Sequence, residues 1–404
     1  MSNLPETPVI QSSCNKTAIS RCALENSKKT LEVARVARKK RESCATGCCR
    51  DLSQTDRGAG DRGAVVLNAS PTESPTACVR RREFAHGLKG GPRAVLEFGA
   101  PFPGYIRVVA RLEERHPDGV AGDWYADTRC IACDVARHYA PGLIAADERG
   151  LSVVVRQPRS LDDEAAMWRA ALACPTQSIG TRSRRRPPPG VFPWEVTDDV
   201  YLCGYNDASS FGAHSYLVVR KEGNLLVDSP RYTGRLVDRI VELGGVAHVL
   251  LSHRDDVADA DRYADRFGAR VWIHEADADA APYATDIVRG DGIVAVAPGV
   301  RAIPVPGHTR GSVVFEDDRG HLLTGDTLAW NEERGGLDVF GSATWYSWQA
   351  LTESMARLTG LARFSWVLPG HGKWGHADTD EMTRQLGQLA QDMRHHTAAM
   401  WERR

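Results

Sequence analysis

The stretch HVLLSHRDDVAD, residues 248–259, decides how this chain is read. A short apolar run of this kind reads as a buried strand, and it stops on His253 before the carboxylate-rich segment RDDVADA, which holds Asp255, Asp256 and Asp259. A strand pinned in a core fixes the position of the side chain just past its end. Three later runs end the same way: AIPVPG (302–307) delivers His308, HLLTG (321–325) delivers Asp326, and FSWVLPG (364–370) delivers His371. Four such ends at one rim can converge on a metal without a rigid loop. Imidazole and carboxylate are the ligands expected for zinc, iron or manganese in hydrolytic or oxygen chemistry.

The surrounding 210 or so residues alternate strand and helix signals. HSYLVVRKEGNLLVDSP (214–230) reads as a hairpin turning at 222–224, and GRLVDRIVELGG (234–245) as a helix with Leu236, Ile240 and Leu243 on one face. ADRYADRFG (260–268) is a short helix and ARVWIH (269–274) a strand. Asp317 to Gly320 turn a second hairpin, and YSWQALTESMARLTG (346–360) and DEMTRQLGQLAQDMRHH (380–396) are helical stretches flanking WVLPG. This order predicts a layered α/β sandwich.

SHRDDVAD, PGHTRGS, LLTGDT and LPGHG, in this order, resemble the metal motifs of the metallo-β-lactamase superfamily. The resemblance covers roughly residues 191–404 and implies an αββα sandwich with its site at one edge of the sheets. It implies that His308 and His371 are the two later histidine ligands, that Asp326 is the carboxylate bridging two metals, and that His253 opens the family's H-x-H-x-D-H. That motif is broken here. Asp255 stands at its second histidine and Val257-Ala258 at its Asp-His; a two-residue shift brings in Asp259, but Ala260 then follows. The expected metal set is therefore His253, Asp255, Asp259, His308, Asp326 and His371, with Asp259 and Asp326 as the catalytic carboxylates. A carboxylate-rich set moves the preference towards iron or manganese, and the superfamily's oxygen-reducing flavodiiron branch likewise has a carboxylate at the second position.

A smaller unit precedes the sandwich. DTRCIACDVARHYAPGLI (127–144), a short hairpin with LSVVVRQP (151–158), and the helix-like DDEAAMWRAALACPTQSIG (162–180) contain Cys130-x2-Cys133 and a distant Cys174-Pro175. The pattern resembles a single-cluster [4Fe–4S] ferredoxin, which uses CxxCxxC and a remote Cys-Pro. Ala136 stands where the third cysteine belongs, so the unit either holds a cluster on Cys130, Cys133 and Cys174 with His138 or Asp134 substituting, or keeps the fold without the cluster.

The expected organisation is thus a disordered basic tail or mis-assigned start (1–105), an α+β ferredoxin-like domain (120–182), an extended, solvated Arg/Pro linker (183–190) and the sandwich (191–404). Of 404 residues the first hundred carry 17 Lys/Arg against 10 Asp/Glu, the remainder 34 against 42, and the whole chain has a net charge of −1. LEVARVARKKR (31–41) is the tail's single candidate helix, and the rest is too polar to bury a core. Six of the ten cysteines lie in this tail without a CxxC pair. No apolar run approaches the ~18 residues of a membrane span and the start has no apolar leader, which points to a cytoplasmic protein with reduced thiols. The near-neutral charge argues against bulk attraction to nucleic acid. Trp330, Trp345 and Trp348 either line a cleft or fill the core, and His214 and His274 read as satisfied structural histidines.

Three functions compete. The first is a hydrolase using metal-activated water on an ester, thioester, amide or phosphoester, with one or two divalent ions and a small-molecule substrate. The second is a di-iron oxidoreductase fed by the ferredoxin-like unit and a redox partner. The third is a degenerate, non-catalytic metal-binding protein. The intact His308/Asp326/His371 set ranks the hydrolase first.

Overall fold

Alternation along the strands sorts the sandwich into two cores. In Val313–Asp317, Val313 and Phe315 face one apolar cluster while Val314 faces the other; Leu323 and Leu368 join the first, Leu322 and Val367 the second. Successive strand residues point to opposite faces, so this sheet is covered on both sides.

The computed structural model describes residues 110–403. The tail expected over 1–105 lies outside them. In the cysteine unit, β1 (Trp124–Ala126), helix α1 (Val135–Tyr139), the hairpin β2 (Ile144–Ala146) and β3 (Ser152–Val154), helix α2 (Leu161–Ala173) and β4 (Ile179–Thr181) follow in order, with β4 antiparallel to β1. Residues 110–120 pack here too: His116 is buried against Asp147, and the Tyr125 hydroxyl donates to the Ala110 carbonyl at 2.6 Å.

The first sandwich sheet holds β5 (Trp194–Thr197), β6 (Val200–Leu202), β7 (Tyr216–Val218), β8 (Leu225–Val227), β9 (His248–Leu250), β10 (Arg270–His274) and β11 (Asp286–Val288) side by side in chain order. It is antiparallel up to β8 and parallel from there, because the helices α3 (Gly234–Glu242) and α4 (Ala260–Phe267) carry the crossovers between β8, β9 and β10. The second sheet runs β12 (Val294–Ala297), β13 (Val300–Pro304), β14 (Val313–Asp317) and β15 (His321–Gly325); the small hairpin of β16 (Ala329–Asn331) and β17 (Gly336–Asp338) precedes its last two strands, β18 (Trp366–Pro369) and β19 (Gly375–His376). Helices α5 (Trp348–Leu361) and α6 (Thr379–Arg394) cover its outer face through Leu351, Met355, Leu358, Met382 and Leu386. The inner faces of both sheets, together with Leu236, Val237 and Ile240 of α3, form the larger core. The αββα layering expected from the motifs is the observed one.

The Arg/Pro segment departs from a wholly solvated linker. Arg185 pairs with Asp123 at 3.0 Å and with Glu164, and its guanidinium lies 5.5 Å from the Trp124 ring centroid, which ties the start of the linker to the cysteine unit. Among the described residues no helix is long and apolar enough to cross a membrane.

Candidate metal centre

Four of the six expected ligands follow strands: His253 after β9, His308 after β13, Asp326 directly after β15, and His371 after β18. β9 belongs to one sheet and the other three to its partner, so the packed sheets bring the four residues to a shared rim. His253 Nε2 lies 3.8 Å from Asp255 Oδ2 and 3.7 Å from Asp326 Oδ2; His308 Nε2 lies 3.7 and 3.6 Å from the same two oxygens. Atoms bound tetrahedrally to one cation at about 2.0–2.2 Å are separated by about 3.3–3.6 Å, close to this spacing. On its other oxygen Asp326 meets His371 Nδ1 at 2.7 Å, and Asp256, Asp326 and His371 form a second group able to hold an ion. Asp326 thus belongs to both halves.

The three histidines share one arrangement. His253 Nδ1 faces Ser252 Oγ at 2.9 Å, and that hydroxyl donates to Asp228; His308 Nδ1 is bonded to the Ala343 carbonyl; His371 Nε2 donates to the Phe211 carbonyl at 3.3 Å. The remaining nitrogen of each ring faces the carboxylates. Bracing one imidazole nitrogen so that the other is aimed is how proteins orient metal ligands.

Buried polar atoms almost always find a partner, yet His253 Nε2, His308 Nε2, Asp255 Oδ2 and both oxygens of Asp256 have none within the protein. Their donor set of two imidazoles and three carboxylates, counting Asp326, suits a divalent cation, and the residues fit the ion that the motifs imply. The electrostatics agree. Burial drives the Asp256 carboxyl well above the usual range, reinforced by Asp326 and Asp228, and raises Asp228 to about 7. Burial would raise Asp326 too, but His371, His253 and His308 outweigh it and hold that carboxyl below its ordinary value. Burial, and then His308, lowers His253 to about 4, leaving a neutral imidazole with a free lone pair. A cation is the charge that would compensate such a concentration of buried carboxylates.

The structure corrects the expectation for Asp259. Its Oδ2 accepts the Tyr232 backbone N–H at 2.7 Å and lies 3.5 Å from Arg262, so it braces the start of α4 and stands outside both ligand groups. Asp256, 1% exposed, is the aspartate of this segment that lies with Asp326 and His371. The sequence shows Asp256 only as one carboxylate in a run of them, with no periodicity to say which turns inward. Ala260, where the family histidine would follow, is fully buried in the core. Of the three tryptophans, Trp345 is 65% exposed with its ring 4.8 Å from His308, whereas Trp330 and Trp348 are half-buried against the second core. Phe211, 43% exposed, stands 6.1 Å from His371, so two exposed aromatics flank the centre. His274 is satisfied on both nitrogens as expected, but His214 Nε2 is buried without a partner.

In the cysteine unit, the Cys130 sulfur accepts the amides of Ala132 (3.4 Å) and Ser152 (3.3 Å), and the Cys174 sulfur that of Ser178 (3.2 Å). Left-handed Ala132 and Asp134 (φ +60° and +69°) bracket Cys133. Burial pushes the Cys133 and Cys174 thiols up. Amide donors aimed at sulfur are what a cluster-bearing loop provides, so these three cysteines fit three corners of a cluster. Ala136 is buried in α1, and the candidates to replace it, Asp134 and His138, bond each other at 3.1 Å.

Residues 126–181 match the family described as the 4Fe-4S single cluster domain of Ferredoxin I, and residues 196–390 match the metallo-β-lactamase superfamily. A hydroxyacylglutathione hydrolase of Anaeromyxobacter dehalogenans is 45% identical over 80 residues, 19% of this chain and 30% of that protein. Two uncharacterized Bacillus subtilis proteins are 27% identical: YobT over 44% of this chain and 90% of its own length, and YmaE over 33% and 52%, so the chain spans about half of the latter. Among solved structures, the DIM-1 metallo-β-lactamase exposed to ceftazidime is 19% identical over 49% of this chain and 95% of its own, with a TM-score of 0.39.

Proposed function

We propose that this chain, a metallo-β-lactamase-superfamily domain behind a single-cluster ferredoxin domain, is a metal-dependent hydrolase of a small ester, thioester, amide or phosphoester. The observation that carries the reading is that His253 Nε2 and His308 Nε2, both buried and unpartnered, converge on Asp326 Oδ2, with the unpartnered Asp255 Oδ2 3.8 and 3.7 Å from the same two nitrogens. These residues would hold a divalent cation, whose chemistry when bound would be to activate water near neutral pH and to act as a Lewis acid on the scissile group. His253, Asp255 and His308 would hold one ion and Asp256 and His371 a second, with Asp326 shared between them. The braces on each ring keep the ligands from reorganising, which is where preorganised sites gain rate. Trp345 and Phe211 offer apolar walls on either side for a substrate's non-reacting part. The hydroxyacylglutathione hydrolase relative favours the acyl members of the substrate list.

The test is a panel of an aryl ester, an S-acyl glutathione, an anilide and a phosphodiester, offered to protein loaded with zinc, manganese or iron. Cleavage of at least one, lost in His308→Ala, is expected. Fully metal-loaded protein that cleaves none would overturn the reading. The di-iron oxidoreductase remains the second reading because Cys133 packs directly against the loop that reaches His371. Zinc without acid-labile sulfide in protein purified anaerobically would eliminate it.

A further inference from the structure

Resting on the metal-centre reading above, we propose that the cysteine site is thermodynamically linked to one half of that centre. Filling the cysteine site tightens cation binding at Asp256, Asp326 and His371, and leaves the His253–Asp255–His308 half unchanged. Three routes join these places.

The first runs through the loop 207–214. A Cβ on Gly212 would sit 3.0 Å from the Cys133 sulfur and 3.2 Å from Pro175 Cγ, so the backbone of this loop is wedged between the two cysteine segments. Gly212 and the preceding Phe211 are both left-handed (φ +87° and +49°), a conformation that a phenylalanine holds only when its surroundings impose it. The Phe211 carbonyl, oriented by that geometry, accepts His371 Nε2–H.

The second passes through His214. The Tyr139 hydroxyl of α1 lies 3.4 Å from His214 Nδ1, and the His214 backbone N–H donates to the Gly370 carbonyl at 2.7 Å. Gly370 lies directly against the carboxylates: a Cβ there would come within 2.8 Å of Asp326 Oδ1 and 3.0 Å of Asp256 Oδ2.

The third uses Arg231, whose guanidinium donates to the carbonyls of Leu172 and Cys174 at 3.3 Å and to that of Asn206 at 2.9 Å. Two residues earlier in the same segment, the Ser229 N–H donates to the Asp256 carbonyl at 3.2 Å.

All three routes end on Gly370, His371 and Asp256. Of the other half, His308 is braced away from these routes, on Ala343 with Trp345 alongside, while the His253 brace through Ser252 reaches Asp228, next to Ser229 of the third route. A cluster bound by Cys130, Cys133 and Cys174 would clamp segments 41 residues apart in sequence and order the surfaces on which Gly212 and Arg231 rest. A cation arriving at His371 then meets a loop whose ordering cost has already been met, and by reciprocity the cation stabilises the cluster.

Manganese(II) is the probe, because a hard ion avoids free thiols. Its binding is followed by electron paramagnetic resonance in cluster-loaded protein, in protein stripped of the cluster, and in Cys133→Ser. Two affinity classes are expected. The weaker, identified by its loss in His371→Ala, should tighten about tenfold on cluster loading, while the class lost in His308→Ala stays put. Gly212→Val should hold cluster and manganese with the weaker class at its cluster-free affinity. Where that variant does not fold, Arg231→Lys should show a reduced shift. Affinities equal within about twofold with and without cluster would overturn the linkage, as would a shift in the His308 class or protein that takes up no cluster on reconstitution. Protein that binds neither manganese nor zinc in the sandwich domain would instead remove the metal-centre reading itself.

Discussion

The Asp277 carboxylate accepts the Thr309 hydroxyl at 2.6 Å, tying the segment after β10 to the turn that carries His308. The same oxygen accepts the Arg254 N–H at 3.1 Å, next to His253, so one buried group braces the loops of two ligands. Asp277→Ala should strand both donors, at about 1–3 kcal/mol of stability, and should weaken metal binding at the His253–His308 half. Asp277→Asn, which keeps an acceptor oxygen, should fall in between. Thermal unfolding and metal content per chain check this, and an Asp277→Ala protein with wild-type metal content would show that the brace is dispensable.

Asp326 belongs to both candidate ligand groups and Asp256 to one, whereas the Asp259 carboxylate holds the Tyr232 N–H away from them. Total bound metal should therefore fall most in Asp326→Asn, less in Asp256→Asn, and not at all in Asp259→Asn. Elemental analysis of the three variants reads out the order directly. A loss in Asp259→Asn equal to that in Asp326→Asn would contradict the placement.

Gly370 lies under two carboxylates without needing a left-handed backbone, so Gly370→Ala tests close approach alone. The added methyl should displace Asp256 and Asp326, lowering metal content while the unfolding midpoint of the metal-free protein changes by only a few degrees. Undiminished metal binding would mean that the carboxylates are not held where the structure places them.

Three thiols, two of them accepting backbone amides, predict brown protein under anaerobic purification, with broad visible absorbance that Cys133→Ser removes. Ala136→Cys supplies the missing thiolate and should slow the loss of colour in air. Protein that stays colourless after chemical reconstitution leaves the ferredoxin-like fold without its cluster.

Asp317 gives a pH signature remote from the metal. Burial would raise its carboxyl, but His321 and Arg319 hold it at about 2. A depressed folded value contributes stability that is fully present above the unfolded pKa near 3.9 and is lost as pH falls through the folded value. About 2 kcal/mol should disappear between roughly pH 4 and pH 2. Asp317→Asn should lower the unfolding temperature at neutral pH and flatten its acid dependence in that window. An unchanged acid slope in Asp317→Asn would reject the assignment.

Strand ends were legible because burial makes them so. VLL before His253, LL before Asp326 and WVL before His371 can only be core, and a residue one to three positions past a core strand has little freedom in where it lies. The layered α/β architecture follows from the same runs, since each sheet face must be covered. RDDVAD offered no such constraint. Three carboxylates on the approach to a short helix look alike in one dimension, and period and hydropathy favour neither Asp256 nor Asp259.

What the linear order of residues determined by itself is therefore the sandwich, the position of His253, His308, Asp326 and His371 past strand ends, and a separate cysteine unit with a gap at Ala136. Tertiary structure decided which aspartate turns inward, that Trp345 stands at the centre while Trp348 packs against the core, and that Cys133, Gly212 and His371 lie along one path. These depend on contacts between segments up to 160 residues apart in sequence. Local pattern records which face of an element is apolar. It carries no information on which two elements share that face, and only the packed chain supplies it.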